Sequence, residues 1–180
     1  MSTDNRTDEL YRLIEGIEIA MFTTRRADGH LVSRPMATQA RSAGADLWFV
    51  TEKSTDKLDE LTADAHVNVA YYNMKSREFV SVSGTARVVD DRSKIRELYR
   101  PDWKAWFPGD DQQSGTPDDP RITLIAVEAS TAVYLKIDKP KPVVLFEVVK
   151  GMVTGSTPDL GEVQQLSGAE LKRPSGVAQE

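Results

Sequence analysis

The sequence predicts a mainly β fold of the α+β class, in which six or seven antiparallel strands form a small barrel with short flanking helices. Three observations support this prediction. Short segments rich in β-branched and aromatic residues recur along the chain, turn signals such as Asp28-Gly29 separate them at hairpin spacing, and few stretches have helical periodicity. A barrel is favoured over a sandwich because closure of a sheet removes its exposed edges.

The composition fits one domain and argues against a nucleic-acid partner. The chain has 180 residues, of which 39% are hydrophobic and 28% are charged, so it can bury one sizeable core. We expect a domain over residues 1–150 and a flexible tail over 151–180, where Gly, Ser, Thr and Pro accumulate without periodicity. The net charge of −5 disfavours nucleic-acid binding, which needs clustered Lys and Arg.

The sequence also bears on location and metal binding. No apolar run approaches the roughly 20 residues that span a bilayer, and the segment "MSTDNRTDEL" lacks the apolar core of a signal peptide. We therefore expect a cytoplasmic protein that does not enter membranes. The absence of cysteine excludes disulfides and thiolate chemistry, and two histidines do not favour a histidine-rich metal centre.

The first part of the chain predicts a helix followed by a hairpin. Apolar residues recur at helical spacing over 10–17, and Thr7 is a suitable N-cap for this helix. The residue patterns at 19–24 and at 30–39 predict extended strands. Asp28-Gly29 between these segments is a strong two-residue hairpin signal.

The middle of the chain alternates strands with a short helix. An apolar strand at 47–51 is followed by a helix that Ser54 or Thr55 can cap. Two further strands are expected at 66–73 and 77–90, where β-branched and aromatic residues predominate.

The longer of these two strands contains Gly84, which predicts a bulge or a corner. The segment 90–100 has the pattern of a capped amphipathic helix that ends at Pro101. Two late strands are expected at 121–137 and 142–150.

The candidate binding chemistry lies between the second and third strands. A turn with Thr51, Ser54 and Thr55 brings hydroxyls and free backbone N–H groups together, and Lys57 follows within the first helical turn. Such groups suit a phosphate. Arg34 can supply a bidentate donor to the same anion if its strand lies beside the strand that ends at Thr51.

An alternative interpretation needs no ligand. Thr55 then only caps the helix, and Lys57 pairs with Asp59 or Glu60 in solvent. Other chemistry has little support, because the chain has no P-loop, no Rossmann glycine motif and no nucleophile beside a histidine. The acidic pair Asp118-Asp119 is expected in a solvated turn.

Six segments in this order resemble the FMN-binding split barrels related to pyridoxamine 5'-phosphate oxidase, and within them the bacterial general stress protein group. Together they cover most of residues 10–137. The segments are "GHLVSRPM", "LWFVTEKSTDKLDEL", "VNVAYYN", "FVSVSGTARVVDDRSKIRELYRP", "AWFPG" and "DDPRITLIAVE".

The resemblance implies a homodimer with two FMN sites at the subunit interface. The family's arginine strand lines the flavin, and the matching residues are Arg34, Pro35, Met36, Ala37 and Thr38. The family's aromatic strand and phosphate turn match Val50, Thr51, Thr55 and Lys57. The strand that reaches the flavin of the other subunit matches at Phe79 and Ser81.

The chain departs from the oxidase of this family at positions that hold the vitamin substrate. Gln39 stands where the oxidase has a lysine, and the oxidase's carboxyl-terminal R-x-H is missing. Authentic pyridoxamine 5'-phosphate oxidase activity is therefore not expected. Leu135 stands where the stress proteins commonly have a tryptophan.

The function that the resemblance implies is that of a flavoprotein, which uses FMN for redox chemistry or flavin handling during stress. The sequence assigns no catalytic residue, no electron donor and no metal. The alternatives are a deazaflavin-dependent reductase on the same fold and a non-enzymatic flavin-binding or interaction module. A haem site is disfavoured because His30 lies on a turn.

Overall fold

The fold is built on antiparallel strands, seven of them in the part of the chain that the structure describes. The computed structural model describes residues 3–137, 140–155, 157 and 161–171. The strands are β1 (Ile19–Arg25), β2 (Leu31–Ala37), β3 (Leu47–Glu52), β4 (His66–Tyr72), β5 (Phe79–Val89), β6 (Ile122–Leu135) and β7 (Val163–Ser167). The helices are α1 (Thr3–Ile17), α2 (Asp56–Ala63), α3 (Arg92–Leu98), a 3-10 helix (Pro101–Ala105), α4 (Lys141–Thr154) and α5 (Gly168–Leu171).

The strands form one curled sheet with a split in it. They pair in the order β2-β1-β4-β5-β6-β3, and β3 and β7 occupy successive stretches of the same strand, β6. The first and last strands of this order, β2 and β3, approach each other at an isolated bridge between Thr38 and Phe49. The result is an antiparallel half-barrel with short helices, which confirms the predicted fold class.

Two glycines have the roles that the sequence indicates. Gly29 adopts a positive φ of 85° in the β1-β2 hairpin, where the Arg26 N–H donates to the His30 carbonyl at 2.8 Å. Gly84 lies where the register of β5 against β6 shifts. A Cβ at Gly84 would lie 2.0 Å from the Glu128 carbonyl oxygen, so only glycine permits this close approach of the two strands.

Two hydrophobic clusters hold the sheet in its curled form. The larger one fills the inside of the curl, where alternate residues of β1, β4 and β5 meet α1, with Phe22 and Phe49 in edge-to-face contact at 5.1 Å between ring centroids. The smaller one packs α3 and the 3-10 helix against the other side of β3 and β6. Its centre contains Trp48 and Trp103, each 2% exposed.

The predicted strand at 142–150 is wrong, because this segment belongs to helix α4. A short run of apolar residues is compatible with either structure, and prolines are tolerated in the first helical turn. The Val143 N–H donates to the Pro140 carbonyl at 2.9 Å as the helix begins. Within the described residues, no helix has both the length and the apolarity to cross a membrane.

The expected flexible tail is also wrong where the structure describes it. Strand β7 pairs with β6, and Leu166 and Leu171 are 0% and 4% exposed in the larger core cluster. With only one buried residue in β7, the sequence has too little apolar alternation to reveal a strand. The remaining tail positions, at 156, 158–160 and 172–180, lie outside the described residues.

The N-cap prediction at Thr7 fails because α1 already begins at Thr3. Thr7 is 2% exposed, and its hydroxyl donates to the Glu170 carbonyl at 3.3 Å. The Arg6 guanidinium forms an ion pair of 2.5 Å with the Glu170 carboxylate. The two ends of the described chain therefore pack against each other.

Candidate functional site

A cleft of about 390 Å³ occupies the split between β2 and β3. The two strands approach each other at the Thr38-Phe49 bridge and bound the cleft on either side. Its volume lies within the roughly 300–1,000 Å³ that is typical of small-molecule sites. The residues that line it are Ile19, Arg34, Pro35, Met36, Ala37, Val50, Thr51, Glu52, Lys57, Trp106 and Phe107.

One part of the cleft carries hydroxyls and the ammonium group of Lys57. The Lys57 Nζ donates to the Thr51 hydroxyl at 2.8 Å, and the Thr51 and Thr55 hydroxyls lie 3.4 Å apart. Thr55 is the N-cap residue of α2, but its hydroxyl donates to the Glu52 carbonyl at 2.8 Å and caps no helical N–H. The amino terminus of α2, with its free N–H groups, therefore remains available beside Lys57.

Lys57 is half-buried, and its ammonium forms no direct ion pair with a described carboxylate. Among the residues that the structure describes, no carboxylate oxygen lies within 4.0 Å of its ammonium nitrogen, so the expected alternative of a pair with Asp59 or Glu60 is not observed. Burial lowers the pKa of Lys57, and the neighbouring Arg34 charge lowers it further. An anionic ligand would stabilise the charged form of Lys57 against both the burial and the repulsion from Arg34.

Arg34 adds a second positive charge, and a buried carboxylate fixes its position. Its guanidinium donates to the Thr24 hydroxyl and to a Glu60 carboxylate oxygen, both at 2.8 Å. Glu60 is 8% exposed, and the hydrogen bond from Arg34 holds its pKa below the ordinary value. Since a guanidinium has five N–H donors, Arg34 retains donors beyond these two bonds. The cleft thus contains two cations against one lining carboxylate, Glu52.

The predicted site residues of β2, β3 and α2 come together, with two of them outside the lining of the cleft. Thr38 forms a 2.8 Å hydrogen bond with the Tyr71 hydroxyl beside the bridge. The Thr55 hydroxyl lies 3.4 Å from the hydroxyl of Thr51, which does line the cleft. The predicted residues that do line the cleft are Arg34, Pro35, Met36, Ala37, Val50, Thr51 and Lys57.

Phe79 and Ser81 lie on β5, away from this cleft. Ser81 aligns with Ala70 on one side and Val133 on the other, and its hydroxyl accepts a 2.9 Å hydrogen bond from the Asn68 amide. Phe79, two residues earlier on β5, pairs with Tyr72 of β4 and with Leu135 of β6. Phe79 and Ser81 are both half-buried, and neither is among the residues that line the cleft.

The outer surface of the sheet joins these two regions. Register pairing places Ser81 beside Ala70, Ala70 beside Met21, and Met21 beside Pro35 of the cleft. Met21 is 44% exposed and Tyr72 is 59% exposed. A stripe of apolar residues therefore runs from the cleft across the sheet to Phe79 and Ser81.

Several residues of the site were not identified from the sequence. Ile19, Trp106 and Phe107 line the cleft, and Glu60 and Thr24 hold Arg34. The aromatic pair in "AWFPG" is the available signal for Trp106 and Phe107, since aromatic residues in a loop beside Pro and Gly are candidates for binding.

The acidic turn at Asp118-Asp119 is only partly solvated. Asp119 is 1% exposed and pairs with Arg121 at 2.7 Å, which corrects its expected position in solvent. Within the described chain, no group of three or more His, Asp or Glu residues is placed to hold a metal ion.

Comparison with known proteins agrees with this architecture. The sequence model of the family "Pyridoxamine 5'-phosphate oxidase like" matches residues 5–159. The protein bli-3 of Neurospora crassa is 35% identical over 173 residues, which cover 94% of this chain and 83% of bli-3.

Solved structures share the fold. A protein of Clostridium acetobutylicum related to general stress protein 26 superposes with a TM-score of 0.67 at 16% identity, covering 93% of this chain and 98% of the other. The general stress FMN/FAD binding protein of Xanthomonas citri has a TM-score of 0.58 at 25% identity, covering 70% and 84% of the two chains. The family match over most of the chain, together with the split half-barrel, shows that this protein belongs to the pyridoxamine 5'-phosphate oxidase-like family.

Proposed function

We propose that this chain is a flavoprotein of the general stress protein type that binds FMN in the cleft between β2 and β3. The observation that carries the proposal is the half-buried Lys57 ammonium, which forms no ion pair with a carboxylate among the described residues and lies beside Arg34 in a cleft with apolar walls. FMN matches both features, since it joins a planar ring system to a phosphate with close to two negative charges at neutral pH. The Xanthomonas citri relative is described as FMN/FAD binding, which supports a flavin ligand.

The residues present fit the phosphate group. Lys57 and Arg34 would donate charged hydrogen bonds, while Thr51 and the amino terminus of α2 would add neutral donors. A bound flavin supplies hydride or electron transfer, and the protein holds the phosphate, orients the ring and limits its contact with water. The chain itself supplies no assigned acid or base.

The identity of the cofactor is tested by the absorption spectrum of the purified protein. We expect a yellow protein that releases FMN on heating, identified by chromatography, and that binds FMN at least about 10-fold more tightly than riboflavin. A band at the shorter wavelength of a deazaflavin, release of FAD, or equal affinity for FMN and riboflavin would contradict the proposal.

The redox part of the proposal is tested by turnover. Sustained oxidation of NADH or NADPH after addition of FMN would support an oxidoreductase. Stable FMN binding without turnover would instead support flavin handling by a non-enzymatic module.

We also propose a homodimer in which Phe79 and Ser81 of the second copy complete each flavin site. The apolar stripe from Pro35 through Met21 to Ser81 supports this arrangement, because it continues directly from the cleft and is exposed at Pro35 and Met21 and half-buried at Ser81 in one chain. Light scattering at micromolar concentration should give a dimer. A monomer that still holds FMN would contradict the shared site.

A substitution at Ser81 tests whether this residue acts through the dimer interface. We expect Ser81→Arg to weaken both dimerisation and FMN binding, because it places a charge in the apolar stripe. Gln112→Arg, in the exposed loop before β6, is the matched control and should change neither. Loss of FMN binding in Ser81→Arg with the dimer intact would mean that Ser81 does not act through the interface.

A further inference from the structure

Trp106 differs from the other two tryptophans in its exposure. Trp48 and Trp103 are each 2% exposed, whereas Trp106 is 77% exposed. Trp106 nevertheless lines the same cleft as Lys57 and Arg34. A large aromatic side chain left in solvent at the edge of a cleft is a feature typical of binding surfaces.

The backbone around Trp106 is anchored from both directions. The N–H groups of Trp106 and Phe107 donate to the Trp103 carbonyl at 2.9 and 3.1 Å. The Phe107 side chain is buried in the smaller core cluster. The segment is therefore fixed by hydrogen bonds and by packing, while the indole of Trp106 remains free to contact a ligand.

The ion pair between the buried Asp119 and the half-exposed Arg121 also holds this segment. The Arg121 guanidinium donates to the Phe107 carbonyl at 3.2 Å and to the Pro108 carbonyl at 3.0 Å. The Asp119 carboxylate, which accepts from Arg121 at 2.7 Å, holds that guanidinium in place. Such anchoring reduces the entropy lost when a ligand packs against the ring of Trp106.

We propose that Trp106 is a ring-binding residue, whose indole packs against the planar aromatic part of the ligand while Lys57 and Arg34 hold its phosphate. This inference rests on the proposed flavin function. The polar donors of the cleft are the cations of Arg34 and Lys57 and the neutral hydroxyl of Thr51, whereas Trp106 and Phe107 belong to its apolar lining with Ile19, Met36 and Val50. A planar ring in the cleft would contact the indole of Trp106, and such aromatic contacts favour offset-stacked or edge-to-face geometry.

Two substitutions of Trp106 test the proposal by binding and by flavin emission. An indole in contact with a flavin quenches its fluorescence by electron transfer, and neither leucine nor phenylalanine does so efficiently. We expect Trp106→Leu to weaken FMN and riboflavin alike by about 10-fold. Trp106→Phe should bind FMN within about 3-fold of the parent protein, since it retains an aromatic face, but the emission of the bound FMN should rise.

The matched control is Phe146→Leu, which removes an aromatic ring of 63% exposure from α4, at a position outside the described residues that line the cleft. It should leave both affinity and emission unchanged. Unchanged affinity and unchanged emission in Trp106→Leu would overturn the inference while FMN binding itself stood. A change in the oligomeric state of Trp106→Leu without a change in flavin emission would also overturn the inference. It would mean that Trp106 contacts a second copy of the chain and not the ligand. Failure of the parent protein to bind FMN would refute the proposed function and this inference together.

Discussion

Arg34 and Glu60 form an ion pair of 2.8 Å beneath the cleft, in which the carboxylate is 8% exposed and also accepts a hydrogen bond from Thr24. The pair joins strand β2 to helix α2 across the inside of the half-barrel. It therefore fixes the direction of the Arg34 guanidinium before any ligand arrives. This position follows from the fold and does not require the phosphate.

Substitution of Glu60 should lower stability. Glu60→Gln keeps the shape but removes the charge, which leaves Arg34 and Thr24 with a weaker acceptor, and we expect a loss of about 2 kcal/mol in the free energy of unfolding. Urea denaturation measures this loss. Asp59→Asn, at an exposed position one residue earlier on α2, should change stability by less than about 0.5 kcal/mol. Equal stability of Glu60→Gln and the parent protein would show that the pair contributes nothing to folding.

Acid should weaken the loop that holds Trp106. The hydrogen bond from Arg121 lowers the pKa of Asp119 to about 2. Because the folded pKa is depressed, the contribution of this pair is complete above the ordinary pKa of about 3.8 and is lost as the pH falls toward 2. The contribution is about 2 kcal/mol near neutral pH.

Asp119→Asn provides the measurement. This variant should be less stable than the parent protein at pH 7, and the difference should shrink as the pH falls from 4 toward 2. Asp118→Asn is the matched control, because its carboxylate is exposed and pairs with Arg96 at the surface. A stability difference that stayed constant across this range would contradict the role of the Asp119 carboxylate.

The carboxyl-terminal strand should be needed for folding. Leu166 of β7 is fully buried against β6, so Leu166→Ala should cost about 2–5 kcal/mol of stability. A chain that ends at Gly155 should lose at least as much, because Leu171 is removed with Leu166. Thermal unfolding tests both variants. Val163→Ala is the control, since that side chain is 60% exposed. Retention of the parent melting temperature in the truncated chain would refute the structural role of β7.

The parts of the fold that the sequence predicts well are those with strong local signals. The Asp28-Gly29 turn, the bulge at Gly84 and the segments rich in β-branched and aromatic residues identify six strands of the sheet, β1 to β6. The errors at 142–150 and 163–167 arise where local signals are weak. An apolar run suits a strand or a helix, and β7 has only one buried residue to reveal its pairing.

The residues of the candidate site were likewise predictable only where a local sequence signal existed. Hydroxyls and Lys57 after an apolar strand indicate an anion site, because the chemistry is contained in one short segment. Glu60 as the partner of Arg34 could not be predicted, since their contact joins residues that are 26 positions apart and depends on how α2 covers the sheet. The burial of Asp119 could not be predicted for the same reason, because it depends on Arg121 and on the segment at Phe107.

The central claim is that the cleft between β2 and β3 binds the phosphate of FMN through Lys57, and calorimetric titration of Lys57→Ala with FMN and riboflavin tests it most directly. Each charged hydrogen bond is worth about 1.5–3 kcal/mol, so the variant should bind FMN about 10- to 150-fold more weakly, while its affinity for riboflavin should be nearly unchanged. Lys53→Ala is the control, because Lys53 lies in the same turn but pairs with Asp90, and FMN should bind this variant as it binds the parent protein. Equal weakening of FMN and riboflavin in Lys57→Ala, or no change for either ligand, would contradict the assignment of Lys57 to the phosphate.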